Sequence, residues 1–357
     1  MRVAFLYNES TEDPALVAEE EQPALSPMVA ALRRLGHHVT PIACTLDLSA
    51  VRRRLQRAKP DVVLNRVESL GGSDAMMAAI PLLLETMQIA YTGCSSEALA
   101  STASKVAVKQ RLSRAGLPTP PWITADGICH GWSKAGIHND LILKSVYEHA
   151  SFELEDTSIV RSASRARIAR VLVQWEADFG KPFFAEQFIE GREFNLSVLG
   201  DAPEVLPPAE IDFSAFPAGK PHIVGRRAKC DASAFEYRHT PRRFDFPAAD
   251  RPLLGRLREL AAACSQLFDL QGYARIDFRC DASGQPWILE INSNPCLSPN
   301  AGFAAALAQA GYEYDDAIQR LLDDAILRAG SAIPEARQHR AGRLPQSAKR
   351  EASTANP

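Results

Sequence analysis

The sequence has no long hydrophobic run and no excess of positive charge. Its longest apolar stretches, such as residues 75–84, are far shorter than the roughly 20 residues that a membrane-spanning helix needs. The 40 lysine and arginine residues are balanced by 43 aspartate and glutamate residues, which leaves a formal net charge of −3. A global positive field that would hold a nucleic acid or an anionic membrane is therefore absent. We expect neither kind of partner.

Paired cysteines and a signal peptide are also missing. The seven cysteines include no C-x-x-C pair and no histidine spacing typical of a zinc site. This pattern favours reduced, mostly buried thiols over a disulfide framework. The short apolar run from Val3 to Tyr7 follows a single arginine and does not make a signal peptide. We therefore expect a cytoplasmic protein.

The first 95 residues alternate between strand and helix patterns, which predicts a parallel sheet flanked by helices. The alternating segments are residues 2–7, 27–35, 39–43, 48–58, 62–64 and 73–87. Ser101 and Thr102 are then candidate N-caps for a helix that runs to Ala115. Gly116 and a cluster of prolines follow, and they predict a linker into a second unit.

From Leu141 onward the pattern changes to short β-rich runs, which predict an α+β region with antiparallel sheets. Two helices are predicted within it, at residues 162–176 and at about residues 249–268. From about Arg328 the chain has few large apolar residues and cannot bury enough surface to order itself. We expect a disordered tail there, with no role in the chemistry.

The sharpest chemical pattern is a predicted hairpin that carries two acids. If its turn is symmetric about Ser283 and Gly284, Asp277 faces Glu290 across the two strands. The Cβ atoms of such pairs are only about 5 Å apart, and like charges directly opposite each other are destabilising. A divalent cation between the two carboxylates would remove that conflict.

The same register pairs Arg275 with Asn292 and puts the asparagine on the face of the two acids. A set of oxygen ligands from Asp277, Glu290 and Asn292 suits Mg²⁺, which binds through one or two carboxylates plus substrate phosphates. The alternative is a solvated hairpin face whose acids pair with Arg275 and Arg279.

Two lysines suggest a phosphate ligand, and an acidic segment offers groups that could read an adenine. Lys144 lies in an apolar strand, where a buried ammonium needs an anion, and Lys105 could supply a second contact. The alternative is that Lys144 reaches solvent from an edge strand and that Lys105 is an ordinary exposed lysine. Residues 186–196 contain a glycine-interrupted turn whose backbone could read an adenine edge, although any acidic hairpin would look similar.

These elements, in this order, resemble the ATP-grasp superfamily and, within it, the D-alanine:D-alanine ligases. The resemblance covers roughly residues 1–325. It is carried by residues 60–65 (PDVVLN), 89–93 (IAYTG), Lys105, 115–121 (AGLPTPP), 143–144 (LK), Glu186, 190–194 (EGREF), 228–229 (AK), 275–277 (RID) and 289–292 (LEIN).

The resemblance implies an α/β N-terminal parallel-sheet domain followed by two α+β ATP-grasp domains with antiparallel sheets. The implied boundaries are residues 1–95 for the N-terminal domain, 96–185 for the central subdomain, 186–327 for the C-terminal subdomain with the metal site, and 328–357 for the tail. ATP would lie between the central and C-terminal subdomains.

The resemblance also implies a role for each matching residue. At the nucleotide, Lys105 and Lys144 would touch the α and β phosphates, Glu186, Gln187, Phe188 and Ile189 would line the adenine site, and Glu193 would hold the ribose. At the reacting groups, Lys229 would approach the γ phosphate from a mobile loop, and Arg275 would stabilise negative charge.

The resemblance further implies a metal site and lids. Asp277, Glu290 and Asn292 would bind two Mg²⁺ ions, with Mn²⁺ as an alternative metal. The candidate lids are residues 147–156 and 222–243.

The implied reaction is ATP-dependent ligation of a carboxylate to an amine through an acyl phosphate, with amino acids or peptides as substrates and a link to peptidoglycan. The sequence departs from the classical ligases near the amino-acid pockets. Residues 148–151 read EHAS in place of Glu-Gly-Ser-Ser, and Ser145 follows Lys144 in place of proline. Cys230 follows Lys229 where a tyrosine is common, and residues 294–300 read NPCLSPN in place of a Pro-Gly-Met-Thr ending. Ser151 and Ser298 are candidate substrate contacts, and Ser10 and Glu12 only approximate the expected Ser-x-Glu.

Two other functions fit parts of this pattern. A different amino-acid or peptide ligase would use the same nucleotide site, and a non-catalytic ATP-binding protein could keep the fold. The complete set of metal ligands and cationic residues favours an enzyme. A dinucleotide-binding dehydrogenase is excluded because no G-x-G-x-x-G follows the first strand. The family analogy suggests a homodimer.

Overall fold

The computed structural model of the chain describes residues 1–8, 27–132, 140–147, 154–161 and 164–341, without the side chains of residues 230 and 331–341. Within these ranges no helix is both long and apolar enough to cross a membrane. The fold contains three β-sheets and eleven α-helices in the described residues. A cleft opens between the second and third sheets and is closed at one end by the first.

The first sheet is parallel, as the alternating pattern predicts, and its strands lie in the order β2-β1-β3. Its elements are β1 (Arg2–Asn8), α1 (Pro27–Arg34), β2 (His38–Cys44), α2 (Leu48–Ala58), β3 (Val62–Arg66) and α3 (Ala79–Met87). Alternate residues of β1 enter two different cores. Val3 and Phe5 pack with α1, whereas Ala4 and Leu6 pack with α2 and α3.

Two helices replace the one that was predicted to begin at Ser101 or Thr102. They are α4 (Ser96–Thr102) and α5 (Lys105–Arg114). Thr102 lies in the last turn of α4 and donates its hydroxyl to the Ala98 carbonyl, so it ends one helix and does not cap the next. The N-cap of α5 is Ser104, whose hydroxyl accepts from the Ala107 N–H. The predicted end of the helix is correct, because Ala115 is its C-cap.

The second sheet is antiparallel, with the order β5-β4-β8-β6-β7. Its elements are β4 (Trp122–Thr124), β5 (Cys129–His130), β6 (Leu141–Ser145), β7 (Ile159–Val160), α6 (Arg165–Phe179) and β8 (Phe183–Gln187). Leu143 and Ala185 point to one face, where they pack against α6. Because side chains alternate along a strand, Lys144 and Glu186 point to the opposite face, towards the cleft.

The third sheet is also antiparallel and has the order β12-β11-β9-β13-β14, with β10 paired to β9. Its elements are β9 (Arg192–Leu199), β10 (Glu204–Val205), β11 (Ala209–Ile211), α7 (Arg226–Cys230), α8 (Phe235–Arg238), β12 (Arg242–Arg243), α9 (Arg251–Leu267), β13 (Tyr273–Cys280) and β14 (Pro286–Asn292). Phe194, Ile276 and Phe278 pack against α9 on one face. The other face forms a wall of the cleft.

The C-terminal helices α10 (Gly302–Gln309) and α11 (Tyr314–Ala341) return to the first sheet, where Leu321 and Leu322 join the core around β1. The tail was predicted to begin at about Arg328, but α11 continues through that position. The Arg328 guanidinium donates to the Tyr91 carbonyl at 3.0 Å and to the Asp201 carboxylate at 3.1 Å. Tertiary partners thus extend the helix where composition alone predicted disorder. Residues 342–357 lie outside the described part of the chain.

Gly191 marks the turn before β9, and its φ of +145° lies in a region that favours glycine. A Cβ at this position would overlap the backbone carbonyl oxygen of Cys280, which has no rotamer to change. We expect Gly191→Ala to lower the free energy of unfolding by about 2 kcal/mol or more, measured by urea denaturation.

Gly284→Ala is the matched control for that measurement. Gly284 also has a positive φ, of +81°, but a Cβ there would meet no atom within 4 Å. This control should cost only about 1 kcal/mol, from the left-handed backbone alone. Equal losses in the two variants would contradict the proposed overlap with Cys280.

Candidate functional site

The cleft has a volume of about 800 Å³ and is lined by residues from all three sheets. Lys144 and Glu186 come from the second sheet, Asp277 and Glu290 from the third, and Arg66 from the carboxyl end of the first. The cleft therefore brings together charged side chains that lie far apart in the sequence.

The hairpin of β13 and β14 supplies the acidic wall, and its predicted pairs are confirmed. Asp277 faces Glu290 and Arg275 faces Asn292. The turn is not symmetric in the way that was assumed, because the register shifts between Asp277 and Phe278, and Phe278 faces Ile288. This irregularity lets Leu289 and Glu290 both line the cleft although they are consecutive.

Asp277 is held by two neighbours on the cleft face. The Arg275 guanidinium donates to both of its carboxylate oxygens, at 2.7 and 2.9 Å, and the Asn195 amide donates to one of them at 2.8 Å. Burial lowers the pKa of Arg275, but the Asp277 carboxylate outweighs it and raises that pKa above the ordinary value. The pairing with Arg275 belongs to the alternative interpretation of the hairpin, but the face is a buried cleft wall and not a solvated surface, since Asp277 is only 8% exposed.

The donor set around Glu290 fits a hard divalent cation. The Lys105 ammonium lies 3.5 Å from a Glu290 oxygen, and the Asn292 side-chain oxygen accepts the Asn294 N–H at 3.0 Å. Across the described ranges, no group of three or more His, Cys, Asp or Glu residues is arranged to hold a metal. Two carboxylates and one amide oxygen leave coordination positions for phosphate and water, as Mg²⁺ requires.

Glu186 joins two lysines on the opposite wall. Its carboxylate accepts from the Lys144 ammonium at 2.5 Å and from the Lys109 ammonium at 2.6 Å. In the protein alone Lys144 is thus paired with a protein carboxylate, and its contact with a phosphate stays a prediction. Burial raises the pKa of Glu186, but the two ammonium groups outweigh burial and hold that pKa below its ordinary value. Glu186 is 1% exposed and Lys109 is fully buried.

The remaining nucleotide-site predictions fall on the strand end after Glu186 and on the start of β9. Phe188, Ile189 and Glu193 line the cleft, and Gln187 is not among the residues that line it. The Gln187 N–H donates to the Pro121 carbonyl and the Phe188 N–H donates to the Asp140 carbonyl. These two N–H groups are therefore engaged within the protein. The role of Gln187 stays a prediction that would depend on its carbonyl oxygen.

Glu193 faces Arg279 across the paired strands β9 and β13. The Arg279 guanidinium donates to Glu193 at 3.0 Å and also reaches the carbonyls of Ile189 and Gly191 at 3.4 and 3.2 Å. Arg279 thereby fixes the backbone of the turn and orients the carboxylate. Both contacts of Arg279 with Glu193 fall on the same carboxylate oxygen, Oε2.

Lys229 lies on α7 and its side chain is exposed at the cleft. Desolvation by the surrounding protein lowers the pKa of the Lys229 ammonium below its ordinary value, and the negative charge of Glu290 acts in the opposite direction. The two candidate lids also meet each other. The Lys220 ammonium binds Asp156 at 3.0 Å and Glu236 at 2.9 Å, and the Arg226 N–H donates to the Leu154 carbonyl.

Several predicted residues lie outside the described ranges. They are Ser151, residues 148–150, Ser10 and Glu12. Ser298 is described, and it lines the cleft with the neighbouring Cys296 thiol, which donates to its hydroxyl at 3.3 Å.

Sequence reasoning missed Lys109 and Asn195 as parts of this site. Lys109 is four residues after Lys105 on α5, so both lysines lie on one helix face, and a lysine between Val108 and Leu112 on a buried face was an available signal. Asn195 is two residues after Glu193 on β9, and the alternation of a strand puts both on the cleft face.

Comparisons with known proteins agree with this arrangement. Residues 158–323 match the family model described as D-ala D-ala ligase C-terminus. An uncharacterized protein, y4sG, from Sinorhizobium fredii is 28% identical over 84% of this chain and 87% of its own length. D-alanine–D-alanine ligases of Moorella thermoacetica and Gluconobacter oxydans are each 29% identical, over 84% and 92% of this chain and 93% and 100% of their own lengths.

A solved structure of D-alanine–D-alanine ligase from Bacillus anthracis complexed with ATP shares the fold. Its TM-score is 0.69 at 18% sequence identity, over 93% of this chain and 99% of that one. The chain therefore shares the fold of that ligase. In sequence it is similar to the D-ala D-ala ligase C-terminus over residues 158–323, and to D-alanine–D-alanine ligases over most of its length.

Proposed function

We propose that this protein is an ATP-dependent carboxylate–amine ligase that joins two amino-acid or peptide substrates through an acyl phosphate. The observation that carries the proposal is the facing pair of Asp277 and Glu290, which shares one cleft with Lys105, Lys144 and Arg275. In the protein alone, Arg275 pairs with Asp277 and the Lys105 ammonium lies 3.5 Å from Glu290. Acids and cations in one cleft suit a nucleotide triphosphate that arrives with Mg²⁺, because the acids can hold the metal and the cations can neutralise the phosphates.

In this proposal the nucleotide lies between the second and third sheets. Lys105 and Lys144 neutralise the α and β phosphates, and Phe188 and Ile189 line the adenine end while Glu193 binds the ribose. Asp277, Glu290 and Asn292 would hold Mg²⁺, or Mn²⁺ in its place, and the bound ion would neutralise phosphate charge. Positioning and charge neutralisation are the main contributions that phosphoryl transfer requires from a protein.

The chemistry consists of two displacements. A substrate carboxylate oxygen attacks the γ phosphorus and ADP leaves, and the amine of the second substrate then attacks the acyl carbon and expels phosphate with loss of a proton. Arg275 is held rigidly by Asp277 and stabilises the negative charge that develops at the acyl group. Lys229 approaches the γ phosphate from α7, and the segments that meet at Lys220 and Asp156 exclude water, which would hydrolyse the acyl phosphate.

The test is to incubate the protein with ATP, Mg²⁺ and a panel of D- and L-amino acids and dipeptides. We expect phosphate release that depends on a substrate pair, together with an amide product detected by mass spectrometry. Formation of D-alanyl-D-alanine would identify D-alanine as the substrate. Turnover of another pair would identify a different ligase of the same mechanism. ATP binding without phosphate release for any pair would contradict the ligase proposal.

Lys229→Met should lower kcat by about 100-fold, because it removes a cation that we place at the γ phosphate in the transition state. Since Lys229 is exposed, the urea midpoint of unfolding should not change. Arg227→Met is the matched control, because Arg227 lies on the same helix, is exposed and pairs with Glu236 at 3.3 Å. Equal kcat values for the two variants would contradict the role of Lys229.

A further inference from the structure

Arg66 is a cleft residue that the proposed chemistry does not use. It is the last residue of β3, where the first sheet closes one end of the cleft. Its guanidinium lies 3.7 Å from the Cys296 thiol in the loop after β14. Arg66 and Cys296 both line the cleft that also contains the carboxylates of the proposed metal site.

The hydrogen-bonding capacity of Arg66 is largely unused. Its Nε atom is buried and has no hydrogen-bond partner among the described residues. Its Nη2 atom reaches Glu68 only at 3.4 Å, and the Glu68 side chain is 48% exposed, so this pair contributes little. A guanidinium that is 20% exposed thus keeps donors without short partners, and buried unpaired donors are costly.

The other arginines that line the cleft differ in this respect. Arg275 binds both oxygens of Asp277, and Arg279 binds Glu193 and two carbonyls. Arg242 is exposed and can be solvated. Among the arginines of the described cleft that are not exposed, Arg66 therefore has the weakest hydrogen bonding to the rest of the protein.

A purely structural role does not explain Arg66, because the loop beside it is fastened by other residues. The Asn294 amide donates to the Val67 carbonyl at 3.0 Å and accepts from the Tyr273 hydroxyl at 3.0 Å. The Tyr314 hydroxyl donates to the Leu297 carbonyl at 2.9 Å. These bonds hold the loop on both sides of Cys296 without the guanidinium.

We infer that Arg66 binds a substrate carboxylate other than the one that reacts, on either the acyl or the amine substrate, and that it selects substrates that carry one. A planar guanidinium matches a carboxylate with two parallel hydrogen bonds, which satisfy donors that the protein leaves open. A dicarboxylic amino acid offers this group on its side chain, and a peptide offers it at its C terminus. The inference rests on the proposed ligase activity, and it concerns the substrate end of the same cleft.

The experiment compares matched substrates in wild type and Arg66→Met, which keeps a similar apolar stem. Glutamate and aspartate are compared with glutamine and asparagine, and dipeptides are compared with their C-terminal amides, in both stereochemical series. We expect wild type to prefer one carboxylate-bearing member by about tenfold to a hundredfold in kcat/KM, and Arg66→Met to bring that ratio close to one. Arg66→Lys should keep part of the preference. A preference for the dicarboxylic amino acid or for the free dipeptide identifies the source of the carboxylate.

Arg256→Met, on the exposed face of α9, is the control and should leave the ratio unchanged. A wild-type enzyme with no preference, or an Arg66→Met variant that keeps the wild-type ratio, would overturn the inference. Binding is also measured without turnover, as the thermal shift that glutamate or alanylalanine produces. A thermal shift that disappears in Arg66→Met supports the carboxylate site even if the ligase proposal fails. Turnover that does not depend on Arg66 supports the ligase proposal and contradicts the carboxylate site.

Discussion

We expect Glu290→Gln to lower kcat by about 100-fold or more while the protein stays folded. The substitution keeps the size of the side chain but removes one of the two carboxylates that face each other on the hairpin. Because those carboxylates are proposed to hold Mg²⁺ at the phosphates, the loss falls on the charge neutralisation that phosphoryl transfer depends on. The measurement is steady-state phosphate release over a range of Mg²⁺ concentrations, with urea unfolding as the check on folding.

Glu259→Gln is the control for that result, because Glu259 lies on the exposed face of α9 and pairs only weakly with Arg256, at 3.2 Å. It should leave kcat and its Mg²⁺ dependence unchanged. A Glu290→Gln enzyme with wild-type turnover would show that the facing acids do not hold the metal.

Glu186→Gln is expected to lower the free energy of unfolding by about 3–5 kcal/mol, the range for breaking a buried ion pair by removing one partner. The carboxylate of Glu186 neutralises the ammonium groups of Lys109 and Lys144, and Lys109 has no access to solvent. Without that carboxylate, two cations remain close together in a buried place. Urea unfolding at neutral pH measures the effect, and Glu259→Gln again serves as the exposed control.

The ion pairs of Glu186 with Lys109 and Lys144 predict that the stability of the protein depends on pH. The pKa of Glu186 in the folded protein is held below its ordinary value by Lys109 and Lys144, against the opposing effect of burial. Its stabilisation is therefore present above the unfolded-state pKa of about 4.3 and is lost as the pH falls through the lower folded-state pKa. The acid loss of stability should be shallower in Glu186→Gln than in wild type. Parallel curves would mean that the pKa of Glu186 does not differ between the folded and the unfolded protein.

Several features of this site could be predicted because they depend on short segments of chain. The facing of Asp277 and Glu290 follows from the alternation of two strands joined by a short turn, and Lys144 on an inner face follows from the apolar strand around it. The prediction that Asp277 faces Glu290 was correct, although the turn is not symmetric about Ser283 and Gly284 as assumed. The register shift between Asp277 and Phe278 gives the pairing that a symmetric turn would have given.

The N-cap of α5 shows where local patterns are ambiguous. Ser101, Thr102 and Ser104 are all residues that can cap a helix, and local sequence offers no reason to prefer one of them. The choice depends on α4, which uses the Thr102 hydroxyl at its own C-terminal end, and that hydroxyl also meets Ser293 at 2.7 Å. A contact across 191 residues thus helps to decide where a helix begins.

The sequence by itself determined the alternation of the first strands and helices, the parallel and antiparallel sheets, and the hairpin with its acids, because periodicity and turns act over a few residues. The tertiary structure alone decided which charges meet. Lys109 and Glu186 are 77 residues apart, and Arg66 and Cys296 are 230 apart. Such pairs leave no local sequence pattern, because the position of each partner depends on how whole sheets pack. Burial in the packed structure then strengthens the electrostatic interactions between these charged groups.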